Sequence, residues 1–97
     1  YTSGVIPVDP ATGNIAEGVE AQAEQAFKNL CNLVEESGSK VENIIKTTVF
    51  IKEMNDFGTI NEIYKKYFKE PFPARSCVEV ARLPKDVLLE VEAIAFK

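Results

Sequence analysis

Residues 74–96 read Ala74-Arg75-Ser76-Cys77-Val78-Glu79-Val80-Ala81-Arg82-Leu83-Pro84-Lys85-Asp86-Val87-Leu88-Leu89-Glu90-Val91-Glu92-Ala93-Ile94-Ala95-Phe96. Valine- and isoleucine-rich runs broken by Pro84-Lys85-Asp86 predict two strands, about 74–83 and 88–96, joined as an antiparallel hairpin. Side chains alternate between the faces of a strand. Ala74, Ser76, Val78 and Val80 therefore share one side, with Arg75, Cys77, Glu79 and Ala81 on the other, and neither is plainly a solvent face. In the last strand Leu89, Val91, Ala93 and Ala95 make a clean apolar face, whereas Leu88, Glu90, Glu92, Ile94 and Phe96 make a mixed one. A sheet of this kind needs cover on both sides.

Upstream, Val19, Ala23, Ala26, Phe27, Leu30, Leu33 and Val34 recur at steps of three and four, which predicts a helix from about Gly18 to Ser37, stopped at Gly38. Gln22, Glu24, Lys28 and Glu35 fall off that apolar stripe. A short turn at Val41–Asn43 leads into a strand at 44–52, rich in Ile, Val and Thr. Asn55 or Asp56 is placed to cap a second helix, whose stripe is Phe57, Ile60, Ile63, Tyr64, Tyr67 and Phe68, read as core. Pro71 and Pro73 end it. At the start, Tyr1-Thr2-Ser3-Gly4-Val5-Ile6 reads like the middle of a strand, closed by the turn-forming run Pro7 to Asn14. The order strand, helix, strand, helix, strand, strand predicts an α+β fold: a mixed β-sheet with two helices packed on one face. The second, uncovered face predicts self-association.

Composition narrows the chemistry. The 97 residues show no repeat or linker and are expected to form one unit, residues 1–97. Fifteen acidic residues against eleven basic give a net charge of −4, which argues against a nucleic-acid partner held by phosphate neutralisation. There is no histidine, so imidazole catalysis, a His-ligated zinc and a Ser-His-Asp triad within the chain are excluded. Cys31 and Cys77 form no Cys-x-x-Cys pair and are too few for a disulfide scaffold, pointing to a reducing compartment and a cytoplasmic protein. No apolar run is long enough for a membrane span.

Among candidate site residues, Arg75 stands at a strand start, where a guanidinium can grip a carboxylate through two parallel hydrogen bonds; the plainer alternative is a salt bridge. Arg82, the other arginine, is expected on the opposite side. Glu90 and Glu92 lie on a partly apolar face, where burial favours a raised pKa and proton transfer; the alternative is a solvated or subunit-contact charge. Cys77, near Arg75, is either a thiol with a lowered pKa or a small buried residue, and Cys31 is structural. Ser3-Gly4 offers a hydroxyl and close backbone approach, a weak signal alone.

The run Pro73 to Asp86 with Glu90-Val91-Glu92-Ala93-Ile94-Ala95 closely resembles the C-terminal signature of the RidA/YjgF family of imine deaminases. Thr2 to Pro7, Ile45 to Ile51, and Asn55-Asp56-Phe57 with Asn61 resemble the same family in the same order. The resemblance implies a chorismate-mutase-like fold, assembled as a homotrimer with sheets facing inward and active sites in clefts between subunits. It implies hydrolysis of reactive 2-aminoacrylate and 2-imino acids to 2-oxo acids and ammonia, with no metal and no cofactor. By the same likeness Arg75 grips the substrate carboxylate and Glu90 positions or activates water. Cys77 is a pocket contact and no nucleophile, and Ser3, Gly4 and Asn61 are further pocket positions. Family members carry roughly two dozen residues before the position of Tyr1, including a strand and a pocket tyrosine, so the expectation is a subunit lacking them. Two other readings stay open: a non-catalytic trimeric binder of small 2-oxo acids, and the endoribonuclease or translation-inhibitor activity linked to some members, which a net charge of −4 does not favour.

Overall fold

A computed structural model describes all 97 residues. Its elements are α1 (Val19–Glu36), β1 (Ile44–Ile51), α2 (Phe57–Tyr67), β2 (Ala74–Glu79) and β3 (Leu89–Ala95). The sheet has the order β2-β1-β3, with β1 parallel to β2 and antiparallel to β3. This overturns the expected hairpin: β2 and β3, adjacent in sequence, are not neighbours, because β1 lies between them. A helix between β1 and β2 lets the second strand return parallel to the first. That takes one edge of β1 and leaves the other for β3. The connection that crosses beneath, Pro84–Asp86, is a 3₁₀ turn with Lys85 and Asp86 at positive φ, closed by Asp86 N–H donating to Leu83 O and Val87 N–H to Pro84 O. Strand β2 also stops at Glu79, short of the expected residue 83, although Val80 N–H still donates to Ile51 O.

Residues 1–6 are not a full strand. They run antiparallel along the outer edge of β3, where Val5 and Val91 exchange backbone hydrogen bonds and Thr2 N–H donates to Ala93 O. The side chain of Asn29 on α1 ties this segment down by donating to Ile6 O and Val8 O.

Both helices pack on one face of the sheet. Phe27, Leu30 and Val34 of α1 and Ile60, Ile63 and Tyr64 of α2 meet Val49, Ile51, Leu89 and Val91 in a single core. Phe27 is its centre, edge-on to Tyr64 and Phe68 with ring centroids 5.5 and 6.1 Å away. Gln22, expected off the apolar stripe, is in fact buried. It is kept satisfied there by donating to Ala16 O and accepting from Leu88 N–H, which couples the N-terminal loop to the start of β3. Helix α1 ends as expected: Gly38 takes φ 95° and the N–H groups of Gly38 and Ser39 cap Glu35 O and Val34 O. The start of α2 differs. Neither Asn55 nor Asp56 caps it through its side chain; a 3₁₀ turn at Met54–Asp56 runs directly into α2, and in that turn Met54 N–H donates to the Glu79 carboxylate of β2 and Asn55 N–H to that of Glu53.

The register sets what each face carries. Thr47, Arg75 and Ala93 form one row across the three strands, and Val49, Cys77 and Val91 the next. Their side chains lie on the helix side. On the opposite, open face the rows are Thr48-Ser76-Glu92 and Phe50-Val78-Glu90. Val78 there is 43% exposed, and Lys46 Nζ donates to Ser76 Oγ across the face. No helix is long and apolar enough to cross a membrane.

Candidate active site

The two arginines have opposite surroundings. Arg82 is neutralised locally, its Nε and Nη2 donating to both carboxylate oxygens of Asp86 at 2.7 and 3.1 Å. That fork raises the pKa of Arg82 and lowers that of Asp86, through the hydrogen bonds first and the opposite charge second. Arg75 makes no salt bridge. Its guanidinium lies 4.7 Å from the centre of the Tyr64 ring and 5.2 Å from that of Phe57, and Nη1 donates to Asn61 Oδ1 at 2.6 Å. Asn61 reaches it because residues 57, 61 and 64 of α2 share the helix face that overhangs the start of β2. The plainer alternative for Arg75, an ion pair, is not what the fold builds.

Around this group is an open cleft of about 350 Å³, lined by Asn61, Tyr64, Lys65, Phe72, Pro73 and Arg75. One side is an unpaired cation and an amide, the other aromatic and proline surface, which suits a small organic acid. Cys77 sits two residues along the same strand face, half-buried against the core. Its thiol is not activated. Burial pushes its pKa up by more than the Arg75 charge pulls it down, which corrects the reading of a lowered thiol pKa. Cys31 is likewise inert, raised to about 11 by burial and then by Glu35.

Glu90 lies elsewhere. It is on the open face of β3, two strands away from Arg75, roughly 10 Å across the sheet and with its side chain on the other side. Gly4 is its close neighbour: a methyl group at Gly4 would fall 1.8 Å from Glu90 Oε2, so any larger residue there would displace this carboxylate from its present position. Ser3, by contrast, faces a separate cleft of about 400 Å³ beside the end of α1, with Thr2, Leu33 and Ser39 among its walls. The chain therefore brings together Arg75 with Asn61, and Gly4 with Glu90, and keeps the two pairs apart.

What the sequence reading missed is the role of the aromatic stripe of α2. Tyr64 and Phe57 belong to the stripe that reads as core, and Tyr64 is indeed buried, yet the rings also form the floor under Arg75. Lys65 and Phe72 at the cleft rim carried no sequence signal of their own. The i, i+4 pairing of Phe57 with Asn61 on one helix face is the clue that was available.

The whole chain, residues 1–97, matches the family model described as endoribonuclease L-PSP. A 2-iminobutanoate/2-iminopropanoate deaminase of Salmonella typhimurium is 60% identical over 99 residues, covering 99% of this chain and 77% of that protein. The enzyme of the same name from Escherichia coli strain K12 is 57% identical over 99 residues, with coverage of 99% and 77%. Among solved structures, Escherichia coli TdcF with bound serine matches with a TM-score of 0.94 at 55% identity, covering 99% of this chain and 78% of that one. RidA from an Antarctic Psychrobacter matches at 0.96 with 38% identity, covering 100% and 79%. A family-model match over every residue, with identities up to 60% and TM-scores up to 0.96 across nearly the whole chain, has one explanation: the chain belongs to the endoribonuclease L-PSP family, the family of the RidA and YjgF proteins.

Proposed function

We propose that this chain is a hydrolytic 2-imino acid deaminase that converts 2-iminobutanoate-like and 2-iminopropanoate-like substrates to 2-oxo acids and ammonia. The observation that carries the reading is Arg75: a guanidinium held over a cleft by neutral partners, with its charge uncommitted. In the reaction the substrate carboxylate docks on Arg75 through parallel N–H donors, which fixes the imine carbon in place. Glu90 takes a proton from water as its oxygen bonds to that carbon, and the C=N double bond becomes C–N. That proton passes to nitrogen, giving a carbinolamine; Glu90 then takes the hydroxyl proton and delivers it to nitrogen as the C–N bond breaks, so that the 2-oxo group forms and ammonia leaves. Water is the only co-reactant, both of its protons end on ammonia, and Glu90 finishes as the carboxylate it began as. Asn61 orients Arg75, Gly4 leaves room beside Glu90, and Cys77 contributes a wall contact.

Arg75 and Glu90 lie on opposite faces of one sheet, so one substrate meets both only if they come from different subunits. This supports the homotrimer implied by the resemblance, with the open faces buried inward and each cleft completed by a neighbour. The same reading takes the protein to be cytoplasmic. The test is ammonia release from freshly generated 2-iminobutanoate. We expect Arg75→Ala and Glu90→Gln each to lower the rate on the order of a hundredfold or more, with a measurable residual rate, while a one-to-one mixed assembly of the two regains about a quarter of wild-type activity, since random pairing restores that share of sites. A wild-type rate in Arg75→Ala would overturn the deaminase reading. Loss of activity in both variants with no recovery in the mixture would overturn the shared site. Binding of 2-oxobutanoate with no accelerated ammonia release would mark the chain as a binder.

A further inference from the structure

The core side of the cleft holds a feature that the reaction as written does not use. Tyr64 is 4% exposed, and its hydroxyl lies 2.8 Å from Thr47 Oγ1 in a buried hydrogen bond in which either group can donate. Thr47 is the register partner of Arg75 on β1. The ring of Tyr64 is wedged between Phe27, edge-on at 5.5 Å, and Phe68, at 4.4 Å, and its open face carries the Arg75 guanidinium. Burial raises the phenol pKa above its usual value, against the opposing pulls of Thr47 and Arg75, so the group stays neutral.

We propose that Tyr64, locked by Thr47, is a positioning residue that sets the plane of the Arg75 guanidinium for substrate, with Phe57 as its second wall. This rests on the deaminase reading and adds to it how an exposed arginine on an edge strand comes to be preorganised. A free arginine side chain carries substantial rotamer entropy, which docking a carboxylate must otherwise overcome. Two ring faces and one amide oxygen restrict that freedom. They also carry no net charge, so they hold the cation without neutralising it, as Asp86 does to Arg82. Asn61 occupies one of the five guanidinium N–H groups, leaving donors for a bidentate grip. The Thr47 bond matters because a ring that rotated away would leave a hydroxyl without a partner in an apolar site.

The experiment is a double-mutant cycle on ammonia release from 2-iminobutanoate, with the fold monitored by thermal unfolding. Tyr64→Leu, which keeps apolar bulk and removes the ring, is expected to lower kcat/KM about tenfold, mostly through KM. Tyr64→Phe keeps the ring and is expected to lose no more than about threefold, a rescue that a need for bulk alone does not explain. Phe57→Leu and Thr47→Val, which disturb the core less, should each cost about threefold and carry the cycle if Tyr64→Leu does not fold. In an Arg75→Ala background all of these losses should shrink below about twofold, because there is no guanidinium left to position. Losses of equal size with and without Arg75, or none in the Arg75 enzyme, overturn the positioning role and leave the deaminase reading standing. If Arg75→Ala itself is fully active, the deaminase reading falls instead.

Discussion

The two faces of the sheet are made from the same three strands in the same register, yet they do different things. The helix face buries Val49, Ile51, Leu89 and Val91 under two helices and presents Arg75 only at its margin. The open face mixes Phe50, Val78 and Ile94 with Glu90, Glu92 and Lys46, and nothing in one subunit covers it. Since neighbouring residues on a strand point opposite ways, a site that needs both Arg75 and Glu90 is divided by the sheet itself. On the proposed function, division of this kind makes assembly a condition of activity.

The comparison can be broken first in the core. Phe27→Ala should destabilise the fold by about 3–5 kcal/mol, measured by denaturant unfolding, because a fully buried ring with three aromatic neighbours leaves a cavity. Val78→Asp on the open face should cost the isolated subunit only about 0.5 kcal/mol or less, but shift the sedimenting species from three chains to one and remove activity with it. If Val78→Asp kept its mass and its rate, the open face would not be the assembly surface.

Next in size is the contrast between the arginines. Arg75→Ala should lower kcat/KM on the order of a hundredfold or more and Arg75→Lys should recover little, since an ammonium lacks the planar fork. Arg82→Ala, which removes an exposed local ion pair, should stay within about twofold. A smaller effect concerns Cys77. Its raised thiol pKa predicts slow alkylation by iodoacetamide at pH 7, and Arg75→Ala should make it slower still, because the arginine is the one influence lowering that pKa. Faster alkylation in the variant would contradict that sign.

The smallest effect sits between the helices, where Glu24 accepts hydrogen bonds from Lys66 and Tyr67. These partners hold its carboxyl below the usual 4.5. A depressed folded-state pKa contributes stability above the unfolded value and loses it as the pH falls through the folded one. Glu24→Gln should therefore lower Tm by about a degree or two at pH 7, and the difference from wild type should close as the solution is acidified below 4.5. A gap that persisted in strong acid would show that the bond with Tyr67 does not depend on the charge.

Much of this was legible in the residues. The three-and-four stepping of Ala23, Ala26, Phe27 and Leu30 set α1 and its buried face, and Gly38 marked its end. Alternation in Leu89, Val91 and Ala93 set the inner face of β3, and the strand run at 44–51 was found to within one residue. The signature around Arg75 and Glu90 carried the family. Less was legible wherever two segments far apart in sequence had to choose one another. The hairpin expectation failed because β-propensity says that a segment is a strand but not which edge it joins. The capping expectation failed because a 3₁₀ turn at Met54–Asp56 runs straight into α2, and its N–H groups are taken by Glu53 and, from β2, by Glu79.

What the chain determined by itself is its local periodicity and its inventory: two helices, the strand-forming runs around 44–51, 74–79 and 89–95, two arginines, no histidine and a net charge of −4. These follow from short-range sterics and from solvent preference, which act residue by residue. What only the tertiary structure decided is which arginine stays unpaired, which ring lies beneath it, and that Arg75 and Glu90 sit on opposite faces. Those outcomes depend on strand order and register, and a contact between segments tens of residues apart is set by the joint packing of all of them.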